Sequence, residues 1–487
     1  MRLWKPSAGA LLVAGLLAAC GGGEEAGDGA NLDLSGAPGS LVATPSVLTS
    51  LTPQAFQAAA PASLFLVAGA PKCTVTFNYF QYGTVGGAGE KTTASGGLMV
   101  PSGSDPACTG PRPVLLYAHG TSTDKNKNMA SPQDGEAALV AAVYAAQGYI
   151  VVAPNYAGYE ASTLSYHPYL NLQQQAQDVV DALTAARKGF AAAGANAGPA
   201  LFVAGYSQGG YVSMAAQRKL QLDGTPVTAG AHSSGPYALG TFGDAVYAGN
   251  VNLGATQFLP LLNTSFQRAY GNIYGSPSDM YEAPYAGYVE TLLPSTSAST
   301  LISSGRLPAT ALFAADSLPN PGGNFAIFFG AGNLIKSSYR NAVLADAQAN
   351  PSTPAHPLRV AGYRNDLLRQ NWTPGQPMLL CGGLNDPTVF FDLNTTGAKT
   401  YFNGQGVPDP LVTVLNVDSS PAGPSDPFAA AKVGFSQAVT ATATAAGANA
   451  AAAVAHAYHG SPVPPFCNAA SQGYFDTILA AASSAPR

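Results

Sequence analysis

Gly205-Tyr206-Ser207-Gln208-Gly209 constrains this chain more than any other stretch, because its flanks leave few backbones open. Before it runs Leu201-Phe202-Val203-Ala204, an apolar run with strand character, and after it Gly210 to Arg218 reads as a helix. A serine held between a strand and a helix must turn sharply. Glycines two residues before and two after remove the Cβ atoms that such a turn would drive into the backbone. The Ser207 hydroxyl then stands clear of the main chain. The N–H of Gln208 sits at a helix start, where it can face an oxyanion. With 55 glycines in 487 residues, a bare Gly-x-Ser-x-Gly also arises by chance. The reading of a nucleophile elbow therefore rests on the strand, the helix and the partner residues below.

Charged residues make up only 10% of the chain and hydrophobic ones 47%, so a sizeable core can form. The net charge of −5 is thinly spread without a basic cluster, which argues against nucleic acid as a partner. Residues 1–20 read as a lipoprotein signal peptide. A basic start with Arg2 and Lys5 precedes an apolar stretch, Ala8 to Ala19, that is too short to span a bilayer. It ends in Leu17-Ala18-Ala19-Cys20, similar to a bacterial lipobox, so Cys20 is the expected lipidation site and membrane anchor. The alternative is an ordinary export signal cut near Ala19. No other segment reads as long and apolar enough to span. Four cysteines remain, with three possible pairings. Cys73–Cys108 and Cys381–Cys467 are preferred, because each joins segments expected to be neighbours. No cysteine lies near another cysteine or a histidine at ligand spacing, so no metal site is expected.

Residues 21–60 are small, polar and Gly/Ala/Pro-rich, and read as a flexible tether with a little order near its end. From Cys73 onward strands and helices alternate. Thr74 to Phe80 and Ser95 to Val100 suggest an antiparallel opening pair. Pro113 to Ala118 and Tyr149 to Pro154 are continuous apolar runs, as in strands buried on both faces. Helical patterns at Gly135 to Gln147 and Leu172 to Phe190 separate them and imply a mainly parallel sheet. The expected class is α/β, with a first core part at 61–234. After a strand at Pro226 to Ala231 the rhythm breaks, and 235–370 reads as an inserted cap rich in aromatics, with helical pieces at Ala309 to Ser317 and Ile335 to Ala349. Strands at Pro377 to Cys381 and Leu411 to Leu415, and an Ala-rich helical stretch from Phe428 to His456, form a second core part at 371–487.

A serine hydroxyl needs a base to take its proton, and that base needs a carboxylate to hold its tautomer. On a sheet that carries its nucleophile on such an elbow, the acid and then the histidine follow in chain order. Asp386, in Gly382-Gly383-Leu384-Asn385-Asp386-Pro387, lies just past the strand that follows the cap. A turn or helix-cap aspartate is the plain alternative there. Asp366 and Asp392 are placed less well. His459 lies past the last strand, before a glycine, whereas His456 reads as the end of the Ala-rich helix, where it suits the helix dipole. His459 is therefore the expected base. His119-Gly120-Thr121 follows the first buried parallel strand, which makes the Thr121 N–H the expected second oxyanion donor beside Gln208. His119, His167, His232 and His356 are read as structural.

These segments together resemble the α/β-hydrolase esterases and lipases, most closely the secretory lipase family and its bacterial relatives. The resemblance is carried by Tyr117-Ala118-His119-Gly120-Thr121, by Gly148 to Tyr156, by His167-Pro168-Tyr169 and by the Gly-Tyr-Ser-Gln-Gly elbow. It spans roughly residues 70 to 470 and implies a cap over the site, carboxylic-ester substrates and no cofactor; the cap aromatics favour a lipid-like ester, with a core of the cap's own as the plain alternative. It supports Ser207, Asp386 and His459 as nucleophile, acid and base. One departure is Asn155, where such enzymes often carry aspartate. A peptidase on the same fold and a non-catalytic, ligand-binding surface lipoprotein are the alternatives.

Overall fold

A computed structural model describes residues 35–59 and 62–484; the signal segment and Cys20 lie outside them. One nine-stranded sheet organises the chain, in the order β1-β2-β3-β5-β4-β6-β7-β8-β9. The strands are β1 Leu41–Leu51, β2 Thr74–Val85, β3 Lys91–Ser102, β4 Arg112–Ala118, β5 Ile150–Pro154, β6 Ala197–Tyr206, β7 Ala229–Ser233, β8 Met378–Gly382 and β9 Val412–Asn416. β1, β2 and β3 pair antiparallel, and β3 joins β5 antiparallel. From β5 through β4, β6, β7 and β8 to β9 every pairing is parallel.

The continuous apolar runs have the expected cause. In β4, Val114 and Leu116 enter the core on one face, while Leu115 and Tyr117 enter the core on the other. Successive side chains on a strand point to opposite faces, so a strand covered on both sides needs apolar residues at every position. The helices Gly135–Val143, Leu172–Gly189 and Gln208–Leu222 supply crossovers between the parallel strands.

Two expectations change. The tether does not run to residue 60: Leu41–Leu51 pairs along β2 as an edge strand, and Pro53–Ala59 is helical. The strand has little alternation to betray it, because its central residues are mostly exposed and its order comes from main-chain bonds to β2. Within the 144 residues between Ser233 and Met378 the chain is largely helical and adds no strand to the sheet, but Ala309 to Ser317 is not helical. There Leu312 and Phe313 donate main-chain bonds to Phe328 O instead, which pins the segment to the end of the short helix Gly323–Phe328.

The Ala-rich stretch forms the helices Ala429–Ala446 and Ala450–Tyr458. By length and apolarity alone Ala429–Tyr458 could cross a bilayer, contrary to the reading of the sequence. It is broken at Gly447 into two helices folded on each other, and the second of them ends at the site described next.

Both preferred cystine bridges are present, Cys73–Cys108 and Cys381–Cys467. The second closes a span of 86 residues. Joining residues so far apart restricts the unfolded chain strongly, and loss of such a bridge costs about 2–5 kcal/mol. Cys467→Ala paired with Cys381→Ala is expected to lower the unfolding free energy by that amount in urea titrations. A double variant as stable as the parent would show that the bridge adds nothing.

Candidate active site

A strained turn holds the elbow serine. Ser207 has φ 60° and ψ −123°, a backbone region that residues with side chains occupy at a cost of about 1–3 kcal/mol. It follows β6 directly and caps the helix Gln208–Leu222. The turn is possible because its flanks are bare. A Cβ at Gly205 would lie 2.1 Å from the Gly209 carbonyl oxygen, and one at Gly209 would lie 1.9 Å from that of Ala118 in β4. The Ser207 N–H donates to Ser233 O of β7 at 2.9 Å, so neighbouring strands clamp the turn on both sides. Gln208 is the first residue of its helix, and the N–H groups of a first turn have no partner within the helix.

His459 bridges two residues far apart in the chain. Its Nε2 lies 2.7 Å from Ser207 Oγ and its Nδ1 lies 2.6 Å from Asp386 Oδ2. Asp386 is 4% exposed and uses its two oxygens separately. Oδ1 accepts from the backbone N–H groups of Thr388 at 2.8 Å and Val389 at 3.1 Å, which leaves Oδ2 for the imidazole. One oxygen is thus used as a turn aspartate uses it, and the other faces the imidazole of His459. His459 stands at the C-terminal end of the helix Ala450–Tyr458 and not in a free loop, because the alanines carry the helix that far. His456 is on the same helix and faces solvent, away from Ser207. Asp366 is spent on the N–H groups of Gly240 and Leu368.

Thr121 and Gln208 line the same cleft as Ser207. The Thr121 hydroxyl contacts Tyr169 OH at 2.9 Å. The loop before it is fastened by Glu136, which accepts the Gly120 N–H at 2.9 Å and the Tyr117 hydroxyl at 3.1 Å. Lys127 pairs with that half-buried carboxylate at 3.1 Å. No motif marks Glu136 or Lys127 in the sequence, since Glu136 meets Tyr117 and Gly120 only once the fold brings them together.

The remaining buried histidines act as props. His119 stacks on Tyr156 with ring centroids 4.0 Å apart. His232 sits between Ser213 and Gln217, at 2.7 Å from each. His167 does more than expected. Its Nδ1–H donates to Ala157 O at 2.8 Å, so Nε2 accepts the side-chain N–H of Gln208 at 2.6 Å. The elbow's own helix start is thereby tied to the His-Pro-Tyr segment. His356 precedes the helix Pro357–Arg364 and packs edge-on against Tyr339, away from the site. Asn155 accepts the Met129 N–H and donates to Ser95 Oγ, a pair of roles that aspartate, without a donor, could not fill.

From Ser207 a cleft runs beneath the helices that lie between β7 and β8. Its walls are mostly apolar, among them Leu239, Phe242, Phe258, Leu262, Phe266 and Val343. Asp244 and Arg359 also line it, and their charges are matched by ion pairs that join Arg359 to Asp244 and Asp346, each at 2.7 Å. The described residues contain no group of histidines, cysteines and carboxylates suited to hold a metal.

Burial sets an unusual proton balance around this framework. It pushes His119, His167 and His232 from 6.5 down to about 3 each. It pushes Asp178, Asp181 and Asp366 from 3.8 up to about 6, 7 and 6. As pH falls below about 6.5 the unfolded chain gains three protons on these histidines, which lowers stability. Over nearly the same range the folded chain gains three on these carboxylates, which raises it. The two effects offset one another down to about pH 4. Below the ordinary aspartate range only the unfolded chain gains more, and stability falls. Unfolding free energies measured across pH are expected to stay nearly level from about pH 6 to 4 and then drop. A steady decline that begins near pH 6.5 would show that the buried aspartates stay ionised.

A family model described as secretory lipase matches residues 130–227. Among solved structures, the rice cell wall degrading esterase LipA from Xanthomonas oryzae is similar at 29% identity and a TM-score of 0.66, over 82% of this chain and 95% of that one. A single-site mutant of that esterase is 31% identical over the same shares, with a TM-score of 0.65. A Legionella pneumophila protein, 18% identical over 77% of this chain and 91% of its own, has a TM-score of 0.61 and shares the fold. No curated protein sequence matches the chain.

Proposed function

The chain belongs to the α/β-hydrolase esterases and lipases, and from that premise we propose that it cleaves carboxylic esters through Ser207, His459 and Asp386. The observation that carries this reading is the imidazole of His459 within bonding distance of both Ser207 Oγ and Asp386 Oδ2, at one end of an apolar cleft. His459 takes the Ser207 proton on Nε2 as the serine oxygen attacks the ester carbonyl. Asp386 accepts the Nδ1–H, which keeps Nε2 free as the base and stabilises the imidazolium that forms. The main-chain N–H groups of Gln208 and Thr121 receive the oxyanion. The imidazolium then protonates the departing alcohol. Water, activated by the same histidine, releases the acid from the acyl-enzyme and restores the serine.

The apolar walls suit the hydrocarbon part of a lipid-like ester. Short acyl groups leave much of that surface unused, and each buried CH₂ contributes about 0.8 kcal/mol. Hydrolysis of p-nitrophenyl esters from two to sixteen carbons, by the parent and by Ser207→Ala, tests the reading. Activity is expected to rise from the two-carbon ester toward longer chains. In the variant kcat should fall on the order of 10⁴-fold or more. A Ser207→Ala protein that keeps its activity, or a parent that a serine-reactive phosphonate does not label, would exclude the serine mechanism.

The signal segment is read as directing export, and Cys20 as the anchor that holds the protein to a membrane of the cell envelope. This rests on the lipobox-like Leu17-Ala18-Ala19-Cys20 and agrees with the secretory character of the matching family. Cells grown on labelled palmitate should yield a labelled, membrane-bound protein, and Cys20→Ala should lose the label. Equal labelling of the two would dismiss the anchor.

A further inference from the structure

One carboxylate holds both the residue before Asp386 and the residue before His459. β9 ends at Asn416, beside Gly382 of β8, and the chain then turns over the loop that carries Asp386. The Val417 N–H donates to Gly382 O at 2.9 Å. Asn416 Oδ1 accepts the N–H groups of Leu384 at 3.1 Å and Asp418 at 3.0 Å. Asp418 Oδ2 accepts from Asn385 twice, from its main-chain N–H at 3.0 Å and its side-chain Nδ2 at 3.3 Å. The Tyr458 hydroxyl donates to the same oxygen.

The packing is as tight as the bonding. A Cβ at Gly383 would lie 2.2 Å from the Tyr458 hydroxyl oxygen, so the phenol sits directly on the backbone of the Asp386 loop. Tyr458 is 3% exposed and rests edge-on against Phe435 of the neighbouring helix, with ring centroids 5.5 Å apart. The Cys381–Cys467 bridge joins the same two segments farther out, five residues before Asp386 and eight after His459. It limits how far they can part. Asp418 acts one residue from each reacting group, where a backbone shift passes directly to the imidazole and the carboxylate.

We propose that Asp418 is a positioning residue for ester hydrolysis, one that sets the distance between His459 and Asp386 by holding Tyr458 and Asn385 on a single oxygen. This rests on the serine mechanism proposed above. Misplacement of reacting groups by about 1 Å can cost on the order of 10²-fold in rate, so a loosened tie is visible in kcat. Ionised acceptors make the stronger hydrogen bonds, which suits a carboxylate in this place.

The test compares full-length parent, Asp418→Ala, Asp418→Asn, Tyr458→Phe and the Asp418→Ala/Tyr458→Phe pair on p-nitrophenyl butyrate. Phosphonate titration gives the concentration of competent sites, and thermal unfolding is followed in parallel. Asp418→Ala is expected to lower kcat about tenfold or more, with KM within about twofold. Asp418→Asn keeps the shape and one acceptor oxygen and should recover part of that loss. Tyr458→Phe keeps the ring packing and the Asp418 charge and should lose less than Asp418→Ala. The losses in the pair should be less than additive, because both arms meet on one carboxylate, and the pair further lacks only the 3.3 Å bond from the Asn385 N–H to the Tyr458 hydroxyl. A kcat within about twofold of the parent in both Asp418→Ala and Tyr458→Phe, with only the unfolding temperature lowered, would overturn the proposal. Should Asp418→Ala not fold, Tyr458→Phe decides alone, and an unchanged kcat overturns it. Failure of the serine mechanism shows itself separately, as activity that survives Ser207→Ala.

Discussion

The close approach of the elbow to β4 is the constraint on which the site depends. Gly209 comes so near the Ala118 carbonyl that even a methyl group there would collide with it. That contact holds the helix Gln208–Leu222 against the C-terminal edge of the sheet and forces Ser207 into a conformation it would not adopt alone. The strain is supported by the main-chain bond from Ser207 to Ser233 of β7 and by packing against β4, which is how a costly conformation persists in a folded protein. The Thr121 loop leaves β4 at the same edge, so the elbow and that loop are set by one geometry.

Around this edge the polar groups are arranged so that few buried charges stand alone. His119, His167 and His232 are kept neutral by burial and serve as donors and acceptors of fixed direction. Lys127 answers Glu136, and Arg359 answers Asp244 and Asp346. Unpaired buried polar groups are costly, and matched ones specify a single arrangement. The cleft beyond Ser207 can therefore be apolar without leaving the site loose.

Much of the fold was legible in the chain. The parallel strands declared themselves as apolar runs because both of their faces are covered, and the crossover helices by their position between them. β1 was hidden, since an edge strand with mostly exposed residues lacks that pattern and gains its order from main-chain bonds to β2. The segment Ala309 to Ser317 misled for a related reason: alanines favour a helix, while Leu312 and Phe313 are drawn into bridges with Phe328. Local propensity gives way where tertiary contacts offer the same backbone groups another partner.

By itself the sequence determined the elbow, the placing of Asp386 and His459 after it in chain order, and four cysteines to pair. Each follows from sterics or spacing that a short stretch carries within it. Only the tertiary structure decided that His459 and not His456 faces Ser207, since His456 is an exposed helix residue while His459, just past the helix end, meets the elbow. It alone divided the oxygens of Asp386, tied Gln208 to His167 and brought Asp418 beside both Asn385 and Tyr458. Many of these contacts join residues dozens to hundreds of positions apart, and they exist because the order of strands in the sheet places distant loops on one edge. No local pattern encodes that order, because the free energy that fixes it comes from burying the whole sheet at once.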